Sequence, residues 1–170
     1  HIAEPLACWQ PLDAANAHYG YYSQHPEWHM YNRPHFPSHS ALMAARDHVL
    51  EKHPRLHVIG AHLASLEYGV AVLAERLERY PNLAVDTSAR LFDLMLQPSE
   101  AVREFFITYQ DRVLFGTDIV HYRPVAQMAE EERSQHFAQV EAAYQTAFSY
   151  YESNKVIQVR GRELRGLGLP

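Results

Sequence analysis

The sequence predicts an α/β fold built on a parallel sheet, and three observations carry the prediction. Short apolar, strand-like runs begin near residues 56, 83 and 112, and a helical pattern follows each of them. Their spacing, about 30 residues, is that of a βαβ unit. The run Val113-Leu114-Phe115, between Arg112 and Gly116, has the continuous apolar character of a strand buried on both faces. Strict alternation implies parallel strands and right-handed crossovers. No Gly-rich phosphate loop follows any run, which takes away the main support for the nucleotide and dinucleotide readings. An open flavodoxin-like sheet and part of a (β/α)8 barrel both fit, and residues 1–170 read as one domain.

Taken in order, the chain opens with a long irregular segment, residues 1–37. Five prolines punctuate it, and Tyr, Trp and His are packed between them, as in His18-Tyr19-Gly20-Tyr21-Tyr22. A solvated linker is rarely so aromatic, so this segment is expected to fold over a pocket. Ser38 or Ser40 starts a helix that Pro54 stops, with Leu42, Ala45, Val49 and Leu50 on its apolar face. A strand over 55–61 delivers His62, and a second helix runs from about Ser65, carrying Val70, Leu73 and Leu77. The strand around Leu83–Thr87 leads into Ser88-Ala89-Arg90. A short helix spans Leu91 to Leu96, and Ser99 caps another with Val102, Phe105, Phe106 and Tyr109 inward. The third strand ends at Asp118. A long helix from about Ala129 to Tyr151 then sets Phe137, Val140, Tyr144 and Phe148 on one side. Val156–Val159 is strand-like, and the rest of the tail reads as irregular.

Composition narrows the function. Lys and Arg total 15 against 20 Asp and Glu, a formal net charge of −5, which argues against nucleic acid or an anionic membrane as partner. No apolar run approaches the roughly 20 residues of a membrane span. Cys8 is the one cysteine and no signal peptide opens the chain, so a reducing, cytoplasmic setting is expected. Twelve histidines fit metal binding, proton chemistry or neither, and composition does not choose among them.

Parallel strands place their carboxyl ends on one face, where α/β folds hold their active sites. His62, the stretch Asp86–Arg90 and Asp118 should therefore cluster, and His1 joins them if a strand precedes it. Taken singly, each has a plain explanation: a core histidine, a turn cap, a surface ion pair. Together, two imidazoles and a carboxylate make a site for zinc, manganese or iron.

These residues resemble the amidohydrolase superfamily in its amidohydrolase-related branch of metal-dependent hydrolases and decarboxylases. The resemblance rests on His1-Ile2-Ala3-Glu4-Pro5, on Val58-Ile59-Gly60-Ala61-His62 and on Val113-Leu114-Phe115-Gly116-Thr117-Asp118. It implies a TIM (β/α)8 barrel with His1 as the strand-five ligand, His62 as the strand-six histidine and Asp118 as the strand-eight aspartate. The family's His-x-His pair at the end of strand one has no counterpart here. The chain therefore resembles a partial barrel, strands six to eight plus the loop after strand five.

The resemblance also implies a chemistry. A divalent metal, zinc first, is held by His1, His62 and Asp118 and activates a water toward a small carbonyl or carboxylic-acid substrate. Asp118 and His62 are then the catalytic groups, Arg90 takes a substrate carboxylate, and Glu4 with the aromatic loop lines the pocket. Two alternatives stay open: a decarboxylase with the same constellation, and a non-catalytic barrel fragment whose histidine-rich loop responds to pH. The partner expected is a small molecule, with a homodimer formed by sheet completion; the fragment alone is expected to be inactive.

Overall fold

In the computed structural model, which describes residues 1–120, 124–159 and 161–170, three parallel strands form the central sheet. They are β1 (Val58–Gly60), β2 (Leu83–Asp86) and β3 (Val113–Leu114), hydrogen-bonded in the order β1-β2-β3. Val58 pairs with Leu83, Gly60 with Val85, and Val85 in turn with Val113. The expected strands, their direction and their order are all present, each shorter than the sequence pattern.

The sheet has a covered and an open face. Leu83 and Val85 are fully buried against α4 (Val70–Arg79), whose Val70, Leu73 and Leu77 are buried as expected. Helix α6 (Ser99–Thr108) joins the same core through Val102 and Phe105. On the other face Ile59 is 59% exposed and Leu114 43%. The third strand is therefore not buried on both sides as its apolar run predicts, because among the described residues no element packs over that face.

Other departures have local causes. In α2 (His39–Lys52), capped by the Ser38 hydroxyl accepting from the Ala41 N–H, the buried face is His39, Met43, Arg46 and Leu50; Ala45 and Val49 point outward. Two polar side chains hold core positions because each has a buried carbonyl to bond: His39 Nε2 meets Ser65 O at 3.0 Å, and Arg46 meets Ala64 O at 2.7 Å. The helix expected from Ser65 begins only at Val70, because α3 (Ala61–Ala64) is a left-handed turn. Pro98, not Ser99, occupies the cap position of α6, and the Ser99 hydroxyl donates instead to Arg165 O.

Helix α7 (Glu130–Glu152) packs through Ala147, Tyr150 and Tyr151, whereas Phe137 is about half exposed and Tyr144 and Phe148 are only partly covered. Phe115 meets the rings of Phe148 and Tyr151, tying β3 to this helix. Strand β4 (Val156–Val159) is present as expected. It pairs antiparallel with β5 (Arg162–Arg165), which the sequence reading leaves irregular. The tail then returns to α7, Leu167 N–H donating to Tyr150 O and Leu169 N–H to Tyr151 O.

The N-terminal segment is ordered by its own small core of Ala7, Cys8 and Tyr22, with Trp9, Leu12 and Met30 against it. It includes one helical turn, α1 (Tyr19–Tyr22). Asn16 organises it: its amide donates to Ala7 O and Pro11 O, and its side-chain oxygen accepts from the His18 N–H. The helix between β2 and α6 is α5 (Leu91–Met95).

Candidate active site

A residue with left-handed backbone follows each of the three strands within four positions: His62 (φ 58°) after β1, Ala89 (φ 55°) after β2 and Asp118 (φ 58°) after β3. Non-glycine residues rarely adopt this region, and it recurs at functional sites. After β1 the conformation persists over four residues, His62, Leu63, Ala64 and Ser65, all with positive φ. A left-handed turn of L-residues costs roughly 1–2 kcal/mol per residue, so the surroundings must hold it. They do so with buried hydrogen bonds. Besides the contacts from His39 and Arg46, the Ser65 hydroxyl accepts from the Ala3 N–H at 3.0 Å and donates to Ala3 O at 2.8 Å.

His62 is fixed at both ends. Its N–H donates to Asp86 Oδ1 at 2.9 Å, and its ring Nδ1 lies 2.8 Å from Ser88 O. A carbonyl only accepts, so Nδ1 carries the proton and Nε2 presents a lone pair, the tautomer a metal-ligating histidine needs. Burial alone would push the Asp86 carboxyl up. The N–H groups of His62 and Ser88 and the Ser88 hydroxyl outweigh it and hold that carboxyl below its ordinary value. The Asp86 carboxylate thus fastens the turn and is taken up by His62 and Ser88.

A cavity of about 660 Å³ opens at this end of the sheet. His1, Glu4, His62, Arg90 and Asp118, the five residues singled out from the sequence, all line it. The rings of His1 and His62 stand edge to face, centroids 4.9 Å apart, and His1 Nε2 is 3.4 Å from Glu4 Oε1. Among the described residues no three His, Cys, Asp or Glu side chains are grouped closely enough to form a metal cluster, so the convergence of His1, His62 and Asp118 within a few ångströms is not seen. His1 is turned to Glu4 instead. The donor set itself, two imidazoles and a carboxylate with one imidazole already in the ligating tautomer, is of a kind that fits a divalent cation.

Arg90 is 93% buried and its Nε has no hydrogen-bond partner among the described residues; one terminal nitrogen donates to Ala89 O. Among the described residues no carboxylate is hydrogen-bonded to this guanidinium, the buried Glu67 acting on it only through space, so it has room for an anion. The aromatic segment supplies the remaining wall with Ala17, His18, Gly20, Tyr21, Tyr22 and Gln24, as the expectation of a loop over a pocket requires. Burial pushes the Tyr22 phenol far above its ordinary value, so it stays protonated, and its hydroxyl approaches Glu4 Oε2 at 3.5 Å.

Two cavity residues escape the sequence reading. His18 Nε2 lies 2.8 Å from Oδ1 of Asp93, a carboxylate on α5 that is 93% buried. One sign was available: Asp93 interrupts the apolar stretch Leu91-Phe92-Asp93-Leu94-Met95, and a carboxylate buried in such company needs a partner.

A parallel sheet whose strand ends bring an imidazole, carboxylates and a buried arginine around one cavity defines an α/β protein with a candidate active site. The family model for amidohydrolases matches residues 12–149, and the chain belongs to that family. The match includes His62, Arg90 and Asp118 and leaves His1 and Glu4 outside it. Membership implies a TIM-barrel architecture and hydrolase-type chemistry, in a family whose members commonly bind divalent metals. No curated protein and no solved structure matches the chain. No helix among the described residues is long and apolar enough to cross a membrane.

Proposed function

We propose that the chain forms the part of a metal-dependent hydrolase that carries its strand-six to strand-eight chemistry, within a (β/α)8 barrel wall. One observation carries the reading: His1, Glu4, His62, Arg90 and Asp118 line a single cavity at the carboxyl ends of three parallel strands. The open face of the sheet, with Ile59 and Leu114 uncovered, supports the barrel-wall placement.

His1, His62 and Asp118 would hold the cation, with zinc the best fit to two imidazoles and a carboxylate. When bound, such an ion polarises a carbonyl and lowers the pKa of a water. The chain's own residues do the rest. His62 offers Nε2 because Ser88 O holds its Nδ1–H. Asp118 accepts the proton of the attacking water at its carboxylate. Arg90 takes a carboxylate of a small acid, its burial strengthening the pair. Glu4 positions His1 and closes the wall with Tyr22. The substrate is a small carbonyl compound or carboxylic acid, and a cytoplasmic setting goes with the single buried thiol of Cys8.

The test is metal analysis by plasma emission on protein purified without chelator, followed by competition for zinc with a chromophoric chelator. Zinc retained near one equivalent, and lost in H62Q and D118N, is the expected result. A wild-type chain that neither carries nor takes up a divalent metal overturns the metal assignment.

A further inference from the structure

The cavity holds a second organised group that the proposed chemistry leaves unused. His18 is delivered by the aromatic segment at the start of α1, where Asn16 Oδ1 accepts its N–H and its own carbonyl accepts from the N–H groups of Tyr21 and Tyr22. Its ring is only partly exposed and lines the cavity. On one side Nε2 is taken by Asp93 Oδ1 at 2.8 Å. A carboxylate accepts, so Nε2 is the protonated nitrogen. The other carboxylate oxygen, Oδ2, is sealed from solvent with no partner among the described residues, so the pair's free chemistry lies at the imidazole and not at the carboxylate. Nδ1 has no hydrogen-bond partner among the described residues. A buried carboxylate that fixes the tautomer of an imidazole, leaving the second nitrogen free at a cavity wall, is the base-and-orienter arrangement of enzyme sites.

We propose that His18 is a substrate-contacting residue of this cavity, held by Asp93 as its positioning residue, and that Nδ1 accepts a hydrogen bond from an O–H or N–H group of the occupant. Asp93 ties the segment to α5, so the same contact that orients the ring also keeps the loop over the cavity. The bland alternative is a latch: His18 and Asp93 hold the loop and never touch the occupant. The proposal uses the cavity but no metal, so it stands or falls separately from the metal assignment.

Two probes separate the readings on the full chain: phenol, which carries a donor, and anisole, which has the same ring and oxygen without one. Binding is followed by titration in nuclear magnetic resonance spectra. Phenol is expected to bind wild type about fivefold more tightly than anisole, the worth of one net hydrogen bond. In H18Q the glutamine amide can still donate to Asp93 but offers no acceptor at the Nδ1 position. The preference should disappear there while the melting temperature stays close to wild type. An unchanged preference in H18Q, no preference in wild type, or no binding of either probe overturns the proposal. Long-range 1H–15N spectra of the wild type give a second measurement that no variant can spoil. They should show His18 protonated at Nε2 with Nδ1 bare, and a proton on Nδ1 in its place defeats the assignment.

Discussion

The hydroxyl of Ser65 both accepts from the backbone N–H of Ala3 and donates to its carbonyl, at 3.0 and 2.8 Å. Ser65 closes the left-handed turn that begins at His62, and Ala3 lies two residues from His1. One fully buried side chain therefore sets the relation between the segments bearing the two imidazoles. Replacing it should disturb that relation more than the fold. S65A leaves two buried backbone groups unpaired and is expected to cost about 2–3 kcal/mol in urea denaturation. S65G loses the same bonds but relieves the left-handed strain, and should recover about 1 kcal/mol of that. In both, the nuclear Overhauser contact between the His1 and His62 rings, 4.9 Å apart between centroids, should weaken. Retention of that contact in both variants would place the coupling elsewhere.

The same turn makes stability depend on pH through His39. Burial, with Arg46 nearby, holds this imidazole below its ordinary value despite the bond to Ser65 O. The unfolded chain takes up the proton near pH 6.5 and the folded chain only at lower pH. Below about pH 6.5 the unfolded state therefore binds more protons, and stability falls with pH until the folded value is reached. The H39Q variant keeps a donor for Ser65 O but cannot titrate. The advantage of wild type over H39Q should be constant above about pH 7 and shrink as the pH falls below about 6.5. A pH-independent difference in denaturation midpoints would show that His39 is not the titrating group.

Much of this was legible in the sequence, and the limits have physical causes. The three strands and their direction follow from apolar runs at βαβ spacing, and His62, Arg90 and Asp118 from their places after those runs. Four consecutive left-handed residues cannot be read from Ala61-His62-Leu63-Ala64-Ser65, which looks like a helix start. The brace that permits them comes from α2, 26 residues away for His39 and Ser65. The same cause hid the core face of α2, since His39 and Arg46 look like surface residues until their carbonyl partners are known. Strand β5 escaped because Arg162-Glu163-Leu164-Arg165 is mostly charged and is made a strand by pairing with β4. His18 and Asp93 meet across 75 residues, a distance no local pattern spans.

Gly116, two residues past β3, is a place where the backbone must come close to the segment after β2. A Cβ there would overlap Ser88 Oγ, and Gly116 is already bonded in both directions to Thr87 Oγ1. Ser88 also supplies the carbonyl that fixes His62. G116A is expected to cost about 1–3 kcal/mol by overpacking and to shift the His62 ring resonances. Wild-type stability together with unmoved His62 signals would show that Ser88 yields freely.

Asp118 allows an unusually clean substitution. Its backbone is left-handed, a conformation that asparagine tolerates better than most residues, so D118N should fold as wild type. The amide cannot accept the proton of an attacking water and is a weaker ligand. In a zinc-loaded, catalytically competent barrel that contains this chain, D118N is expected to lose about 10²–10⁴ of turnover. Its melting temperature should stay within a degree or two of wild type. Full activity in D118N would remove Asp118 from the chemistry.

The last prediction concerns association. Among the described residues β1 and β3 are the two edges of the central sheet, and each leaves one row of backbone groups unpaired. Natural edges are guarded by charge or proline, yet Val58-Ile59-Gly60 and Val113-Leu114 have neither. The face beside these edges carries Ile59 and Leu114, with Phe115 just beyond β3 also largely exposed, a combination that favours pairing with another sheet. The 19.6 kDa chain is therefore expected to self-associate in a concentration-dependent way, by sheet completion, and to be inactive as a lone hydrolase. Size-exclusion chromatography with light scattering measures the first and a zinc-dependent turnover assay the second. I59K, which places a charge on the open face at no cost to the buried one, should shift the population toward monomer. A wild-type chain that is monomeric at every concentration and turns over substrate with zinc would refute both parts.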